Sequence, residues 1–500
     1  LIEDIPEERI SAYRRMIRES FAKKHSVFIL IPEIAYAEKL ASGIEKGIEE
    51  YLHIIHSGLT PKKQKEGWDA LLKETHPVVI IGTGAFLSLP RTDIGLLIVD
   101  YESSRAYKMP SRPFIDIRIF ATFFAAVSGA KLIFGSFPLR TETKHLVTEG
   151  VAREVSPFKH RISAEHPSCT VIDMRNHQEK AGGKNTPSTI SKEFLVAIEK
   201  SVKADKRSLV FATRRGMHGS TVCADCGTVV LCPRCNAPLT LHKASGTKTD
   251  NIYQCHTCGH TETARDTCEH CGSWRVTTLG VGIEHVEEIL KEHFPGSVII
   301  RIDADTTNTP KKIRTALETW QSEKGSILLT TEMGLPYITH PADTVVVASL
   351  DTILSLPDYR GNERIVSILA TLALTTKHTF IVQTRHPEHP AFSMCAKGSI
   401  AELYKGSIKE RKTLGYPPFA VLVKITTEGT RSEEEIKEYR EQLAEHHPLV
   451  YTGAPNIKGA PRTHMLLKIP SDTWPHPEII GVLKTLPPSV TINVDPESVL

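Results

Sequence analysis

"LLIVDYES", residues 96–103, decides how the chain is read. Leu96, Leu97, Ile98 and Val99 are apolar at successive positions, and Asp100 ends the run. A strand that is apolar on both faces is one buried inside a parallel sheet, with its C-terminal end free to present a polar group. In ATP-driven motors the acid at such a strand end holds Mg²⁺, and a following Glu positions or activates water. Here Tyr101 follows Asp100, and a phenol with an ordinary pKa of about 10 is a poor base at neutral pH. Asp100 remains a candidate Mg²⁺ ligand on a strand without a base.

Similar runs lie on either side: "VFILIPEI" (27–34), "LHIIHSG" (52–58), "VVIIGTG" (78–84) and "KLIFGS" (131–136). Helical patterns separate most of them, as at 14–24 and 61–74. A second series follows a polar stretch at 176–191 that reads as a linker: 208–216, 297–305, 326–331, 343–351 and 379–384. Alternating strands and helices predict parallel sheets covered on both faces, so the fold class is α/β with two lobes. Beyond "YPPF" (416–419), the runs "AVLVKITTEG", "THMLLKIP" and "SVTINVD" predict a small α+β C-terminal domain.

A length of 500 residues fits about three or four domains, and the 40% hydrophobic and 24% charged content is ordinary for a soluble globular protein. The net charge of +3 points to no partner class. There is no apolar run of about 18 residues and no visible signal peptide, so no membrane contact is expected. Eight of the ten cysteines form four CxxC pairs, Cys223/Cys226, Cys232/Cys235, Cys255/Cys258 and Cys268/Cys271. Two thiolates on a tight turn face one ion, and two such turns close a tetrahedral Cys₄ site around Zn²⁺. Gly227, Gly259 and Gly272 follow three of the pairs, where a turn tolerates positive φ. Eight thiolates predict two closed, structural zinc sites in a reducing, cytoplasmic setting; the competing reading is redox dithiols. The nearby His242, His256, His260 and His270 are expected on the surface.

The cysteine segment, "TRRGMHGSTVCADCGTVVLCPRCNAPLTLH", "YQCHTCGH", "CEHCGS" and "LGVGIEHVEEILKEHFPGSVIIRIDADTT", resembles the primosomal protein N′ (PriA) family of replication-restart helicases. "LIPEIA" (30–35), "HSGL" (56–59), "IGTGAF" (81–86), "YK" (107–108), "SLPDYRGNER" (355–364), "HPEHPA" (386–391), "GYPPF" (415–419) and "VDPESVL" (494–500) extend it along the chain in the family's order. The resemblance implies two RecA-like helicase lobes, with a two-zinc insertion in the second. The expected division is lobe 1 at 1–170, linker and start of lobe 2 at 171–222, zinc module at 223–272, remainder of lobe 2 at 273–425 and C-terminal domain at 426–500. It also implies a nested zinc pairing, Cys223, Cys226, Cys268 and Cys271 on one ion and Cys232, Cys235, Cys255 and Cys258 on the other. The implied partners are forked or single-stranded DNA, other primosome proteins and single-stranded-DNA-binding protein. Arg214, Arg215 and Lys108 are the DNA-contact candidates.

The departures from the family fall on its ATPase chemistry. Where a GxTGSGKT loop belongs, the chain has "LIEDIPEERIS" and no glycine before Gly43, and Glu3, Asp4, Glu7 and Glu8 would repel a triphosphate. DEEH becomes Asp100-Tyr101-Glu102-Ser103. QVAGRAGR aligns with "TLALTTKH" (371–378), putting Thr375 and His378 at the two arginines. GSATP becomes "GSFPL" (135–139), and the AKG step becomes "GLPY" (334–337). ATP and Mg²⁺ are thereby in doubt as ligands. The expectation is a DNA-binding scaffold of replication restart without ATP hydrolysis; the alternative is an active 3′-to-5′ helicase.

Overall fold

Strands apolar at every position need a covering layer on each face, and the first lobe supplies both. The computed structural model describes residues 1–155, 169–181, 184–213, 220–223, 228–234, 239–242, 251–254, 260–274, 276–279, 282–307, 309–354, 358–392, 400–453 and 460–499. Strands β1 (Ile2–Glu3), β2 (Ser26–Leu30), β3 (Leu52–Ile55), β4 (Val79–Gly82), β5 (Ile94–Asp100) and β6 (Lys131–Ser136) form one sheet in the order β1-β6-β5-β2-β4-β3. Every pairing in it is parallel. Val27, Ile29, Ile81 and Ile98 enter one core with Met16 and Ile17 of α1 (Pro6–Ala22) and with α2 (Ala35–Ile44). Phe28, Leu30, Ile80, Leu97 and Val99 enter the other with Leu71 of α3 (Pro61–Lys73) and Ala121 and Ala125 of α4 (Ile117–Ser128). A shorter helix, α5 (Thr141–Thr148), follows β6. The helix expected at 14–24 begins earlier, at Pro6, where a proline at the first position and Glu7 and Glu8 in the first turn favour a helix start. The two-residue β1 was too short to leave a periodic signal.

The chain divides into two units, Leu1–Lys159 with Tyr404–Leu500, and His160–Leu403. In the second, β7 (Cys169–Asp173) is followed by a hairpin, β8 (Gln178–Ala181) and β9 (Lys184–Pro187), within the stretch read as a linker. Strands β10 (Ser208–Phe211), β16 (Ile299–Ile302), β17 (Ile327–Thr330), β18 (Ala342–Val347) and β19 (Thr376–Thr384) join β7 in a parallel sheet ordered β16-β17-β10-β18-β19-β7. Both lobes are therefore RecA-like α/β units with parallel sheets. Between β10 and β16, β11 (Ser220–Cys223) and β15 (Val276–Leu279) pair antiparallel and close the base of the cysteine insertion. Within it, β12 (Thr240–His242), β13 (Ile252–Gln254) and β14 (Thr261–Thr263) form a small antiparallel sheet.

Strands β20 (Ala420–Glu428), β21 (Leu449–Gly453), β22 (Arg462–Pro470) and β23 (Thr491–Val494) form an antiparallel sheet ordered β21-β22-β20-β23. Helices Ser432–Gln442 and Pro477–Thr485 pack on one face, giving the β-α-β-β-α-β arrangement of ferredoxin-like domains. Its first strand starts at Ala420, ahead of the boundary expected at 426. Among the described residues no helix is long and apolar enough to cross a membrane.

This domain is clasped to the first lobe by cations between Lys108 and the first turn of α4. Arg112 donates to the carbonyls of Pro488 and Val490, and Lys108 Nζ donates to the carbonyl of Val494 at 2.6 Å. Arg118 Nη2 holds Asp116 at 2.8 Å and Glu497 at 2.9 Å. Burial alone would raise the Asp116 carboxyl, but the Arg118 guanidinium outweighs it and holds Asp116 at about 2. A depressed folded pKa contributes stability that is complete above the ordinary carboxylate value and lost as pH falls through the folded one. Asp116 is expected to contribute about 2 kcal/mol at neutral pH. Acid titration of Asp116→Asn should show that much less loss between roughly pH 4 and pH 2.

Candidate functional site

The connection from β1 to α1 is where a motor would cradle phosphate, and here it is only Asp4 and Ile5. Successive backbone N–H groups cannot converge on an anion across so short a link. Pro6 has no N–H to give, and the N–H of Ile5 donates to the Asp4 carboxylate at 3.0 Å. Asp4 itself is buried. Glu3 is also buried, accepting from Lys144 Nζ at 2.7 Å, from the N–H of Leu139 at 3.1 Å and from the Tyr404 hydroxyl. The acids of this segment are thus divided: Glu3 and Asp4 are structural, while Glu7 and Glu8 face solvent at the α1 N-terminus.

The space beside Asp100 is filled from α1. Arg9, Tyr13, Met16 and Ile17 form the buried stripe of this helix. Arg9 is 2%, Tyr13 0% and Asp100 2% exposed, so this is an interior ion pair. Arg9 Nε donates to Asp100 Oδ1 at 2.9 Å, Arg9 Nη1 to the Asp4 carbonyl at 2.9 Å, and the Tyr13 hydroxyl to Asp100 Oδ1 at 2.8 Å. Burial by itself would lower the Arg9 pKa, but the Asp100 charge outweighs it and the guanidinium is held more firmly protonated than usual. The Tyr13 hydroxyl is pushed well up by burial and by Asp100, and stays a donor. Gly135 on the neighbouring strand β6 makes room, because a Cβ there would lie 1.8 Å from the Tyr13 hydroxyl oxygen.

Tyr101 completes the cluster. Its φ is +50°, a left-handed conformation uncommon for an aromatic residue. Its ring packs 4.0 Å from that of Tyr36, and the Arg9 guanidinium lies 4.6 Å over it. Burial pushes the Tyr101 phenol up to about 12, further from any role as a base. Glu102, the next acid, accepts from the N–H of Arg140 at 3.0 Å and from the Thr143 hydroxyl at 2.5 Å. Arg9 and Tyr13 were missed in the sequence. Their signal was an arginine at the i, i+4, i+7 spacing of a buried helix stripe, which requires a buried acidic partner.

In the second unit, helix Gly361–Leu374 passes through Thr375 directly into β19, so neither Thr375 nor His378 stands on a loop. Thr375 donates its hydroxyl to the Leu372 carbonyl at 2.9 Å, and His378 is exposed near Asp343. "GLPY" lies in a 3₁₀ turn, Glu332–Tyr337. Of the DNA-contact candidates, Arg214 and Arg215 lie outside the described residues, and Lys108 is the half-buried clasp to Val494.

Three of the eight predicted zinc ligands are described together. One sulfur each of Cys223, Cys268 and Cys271 lies within 4.8 Å of the others, and Cys223 Sγ is 3.5 Å from Cys271 Sγ. A tetrahedron with Zn–S bonds of about 2.3 Å has edges of about 3.8 Å, so these thiols fit one zinc ion. The Cys268–Cys271 turn is tied by Gly272 N–H to the Cys268 carbonyl at 2.8 Å, and Gly272 takes φ +71°. Cys232 sits in a separate small core with Leu239 and Tyr253, and its sulfur accepts from the N–H of Arg234 at 3.4 Å. Cys226, Cys235, Cys255 and Cys258 lie outside the described residues.

Residues 232–262 match the model of the PriA DNA helicase Cys-rich region (CRR) domain. The chain is 27% identical over 431 residues to the replication restart protein PriA of Bacillus subtilis, covering 85% of this chain and 52% of that protein. It is 26% identical over 427 residues to PriA of Haemophilus influenzae, covering 84% and 57%. The chain thus spans little more than half the length of these relatives. Among solved structures, Saccharomyces cerevisiae Dbp5 bound to RNA and ADP BeF3 superposes with a TM-score of 0.44 at 10% identity, covering 80% of this chain and 81% of that one. With relatives of this kind along most of its length and their Cys-rich region in its second lobe, the chain is a PriA-like protein.

Proposed function

We propose that this chain is a DNA-binding scaffold of replication restart that does not hydrolyse ATP and carries two structural zinc ions in the nested pairing. The observation that carries the first part is the Arg9–Asp100–Tyr13 cluster. The carboxylate a motor would offer to Mg²⁺ is neutralised by a guanidinium of its own lobe, in a buried ion pair. The two-residue link before α1 offers no phosphate cradle, and no arginine stands at Thr375 or His378. Phosphate release measured with forked DNA and Mg²⁺ is expected below about 0.1 per second, since losing an arginine finger alone costs about 10³ to 10⁵ in related NTPases. Turnover of several per second, abolished by Asp100→Ala, would restore the active-helicase alternative.

The zinc proposal rests on the convergence of Cys223, Cys268 and Cys271, the first and last pairs of the nested scheme, with Cys232 in its own core. Zinc here supplies a structural cross-link, holding the two ends of the insertion where β11 and β15 pair. DNA contact is proposed through phosphate, with Arg214 and Arg215 as candidates; Lys108 is already engaged. A site using these two phosphate contacts should lose about 12-fold in affinity for forked DNA between 50 and 200 mM salt. Affinity that does not change with salt would exclude it.

A further inference from the structure

Two imidazoles and a carboxylate converge in the C-terminal domain, away from every site described above. His446 ends the 3₁₀ turn Ala444–His446 that follows helix Ser432–Gln442. His476 is the N-cap of helix Pro477–Thr485, and Glu478 lies in its first turn. One ligand atom from each of the three lies within 4.8 Å of the other two. The His446 and His476 rings stand edge-on with centroids 5.0 Å apart. Nδ1 of His476 is buried and has no hydrogen-bond partner among the described residues. A buried ring nitrogen without a partner is costly, and the usual remedy is a hydrogen bond, a water or a metal.

We propose that His446, His476 and Glu478 bind one divalent first-row transition-metal ion, which staples the turn after the first helix of this domain to the start of its second. Two neutral imidazoles and one carboxylate are the donor set of Zn²⁺, Co²⁺ or Ni²⁺; Mg²⁺ and Ca²⁺ prefer oxygen alone. Glu478 is exposed and both histidines are half-buried, so water completes the coordination. A helix N-terminus carries about half a positive charge and disfavours a cation. The Glu478 carboxylate in the same turn offsets it, which is why an acid is needed beside the two neutral rings. Both helices pack on one core through Ile436, Tyr439, Leu443 and Ile479, so the ion would join elements already adjacent. It would add rigidity at their open ends, where the backbone turns through His447 at φ +47°.

The test uses the full chain with its cysteine sites loaded with zinc, and Co²⁺ as the probe. One further equivalent of Co²⁺ is expected, with a visible ligand-field band and no thiolate-to-cobalt charge-transfer band. His446→Gln and His476→Ala should each abolish that band, and Glu478→Gln should weaken binding at least about tenfold. His446→Gln changes a half-buried turn residue and keeps the test valid if His476→Ala folds poorly. Cobalt uptake that is the same in the wild type and in His446→Gln, or a new band with thiolate character, would overturn the proposal.

Discussion

Asp100→Ala is expected to destabilise the first lobe by about 3–5 kcal/mol, the cost of leaving one member of a buried ion pair uncompensated. Arg9 would keep its charge without a carboxylate beside it, and the Tyr13 hydroxyl would lose its acceptor. In a working motor the same substitution removes a metal ligand from an open site, where the main effect is on turnover. Here turnover should not change and folding should. Hydrogen exchange resolved to the peptides of β5 and β6 would read the first lobe separately from the rest of this multidomain chain. Arg9→Met with Asp100→Leu should recover most of the loss, because well-packed apolar replacements of a buried pair are often neutral or stabilising. An Asp100→Ala protein that exchanges like the wild type would mean the pair is not formed in solution.

Metal removal is expected to have the second large effect. Structural zinc sites in small modules contribute about 10–16 kcal/mol of apparent binding free energy at neutral pH, and that energy is folding energy. The small core around Cys232, Leu239 and Tyr253 is far too limited to hold the insertion without it. Protein purified under reducing conditions should contain two cysteine-bound zinc ions per chain. Cys271→Ser should reduce this to one and expose the Cys268–Cys271 turn to proteolysis, and Cys232→Ser should remove the other ion. The lobes themselves should keep their fold, since their parallel sheets rest on separate cores. One ion in the wild type, or loss of both from Cys232→Ser, would contradict the nested pairing.

Much of the architecture was already legible in the chain. Parallel strands buried on both faces must be apolar at successive positions, so β2, β4, β5 and β18 announce themselves locally. Paired cysteines two residues apart likewise carry their chemistry within one turn. What the sequence left unread lay where a short or polar segment gets its structure from distant partners. Ile2–Glu3 is a strand because β6 is beside it, and the supposed linker at 176–191 contains a hairpin. The sequence reading took the acids near the N-terminus as repulsive to phosphate, yet Glu3 is an interior residue whose partners include Lys144 and Tyr404.

The sequence by itself determined that no glycine precedes Gly43 and that Tyr101 follows Asp100, because those are statements about residue identity. Only the tertiary structure decided what stands beside Asp100. Arg9 and Asp100 are 91 positions apart, and Tyr13 and Asp100 are 87 apart. No periodicity links such pairs, since burial of a charge is arranged by whichever groups the fold brings within hydrogen-bond reach. The same holds for Lys108, which the sequence offered as a cation for DNA and the fold assigns to the Val494 carbonyl. It holds again for His446 and His476, whose convergence depends on two helices sharing one core.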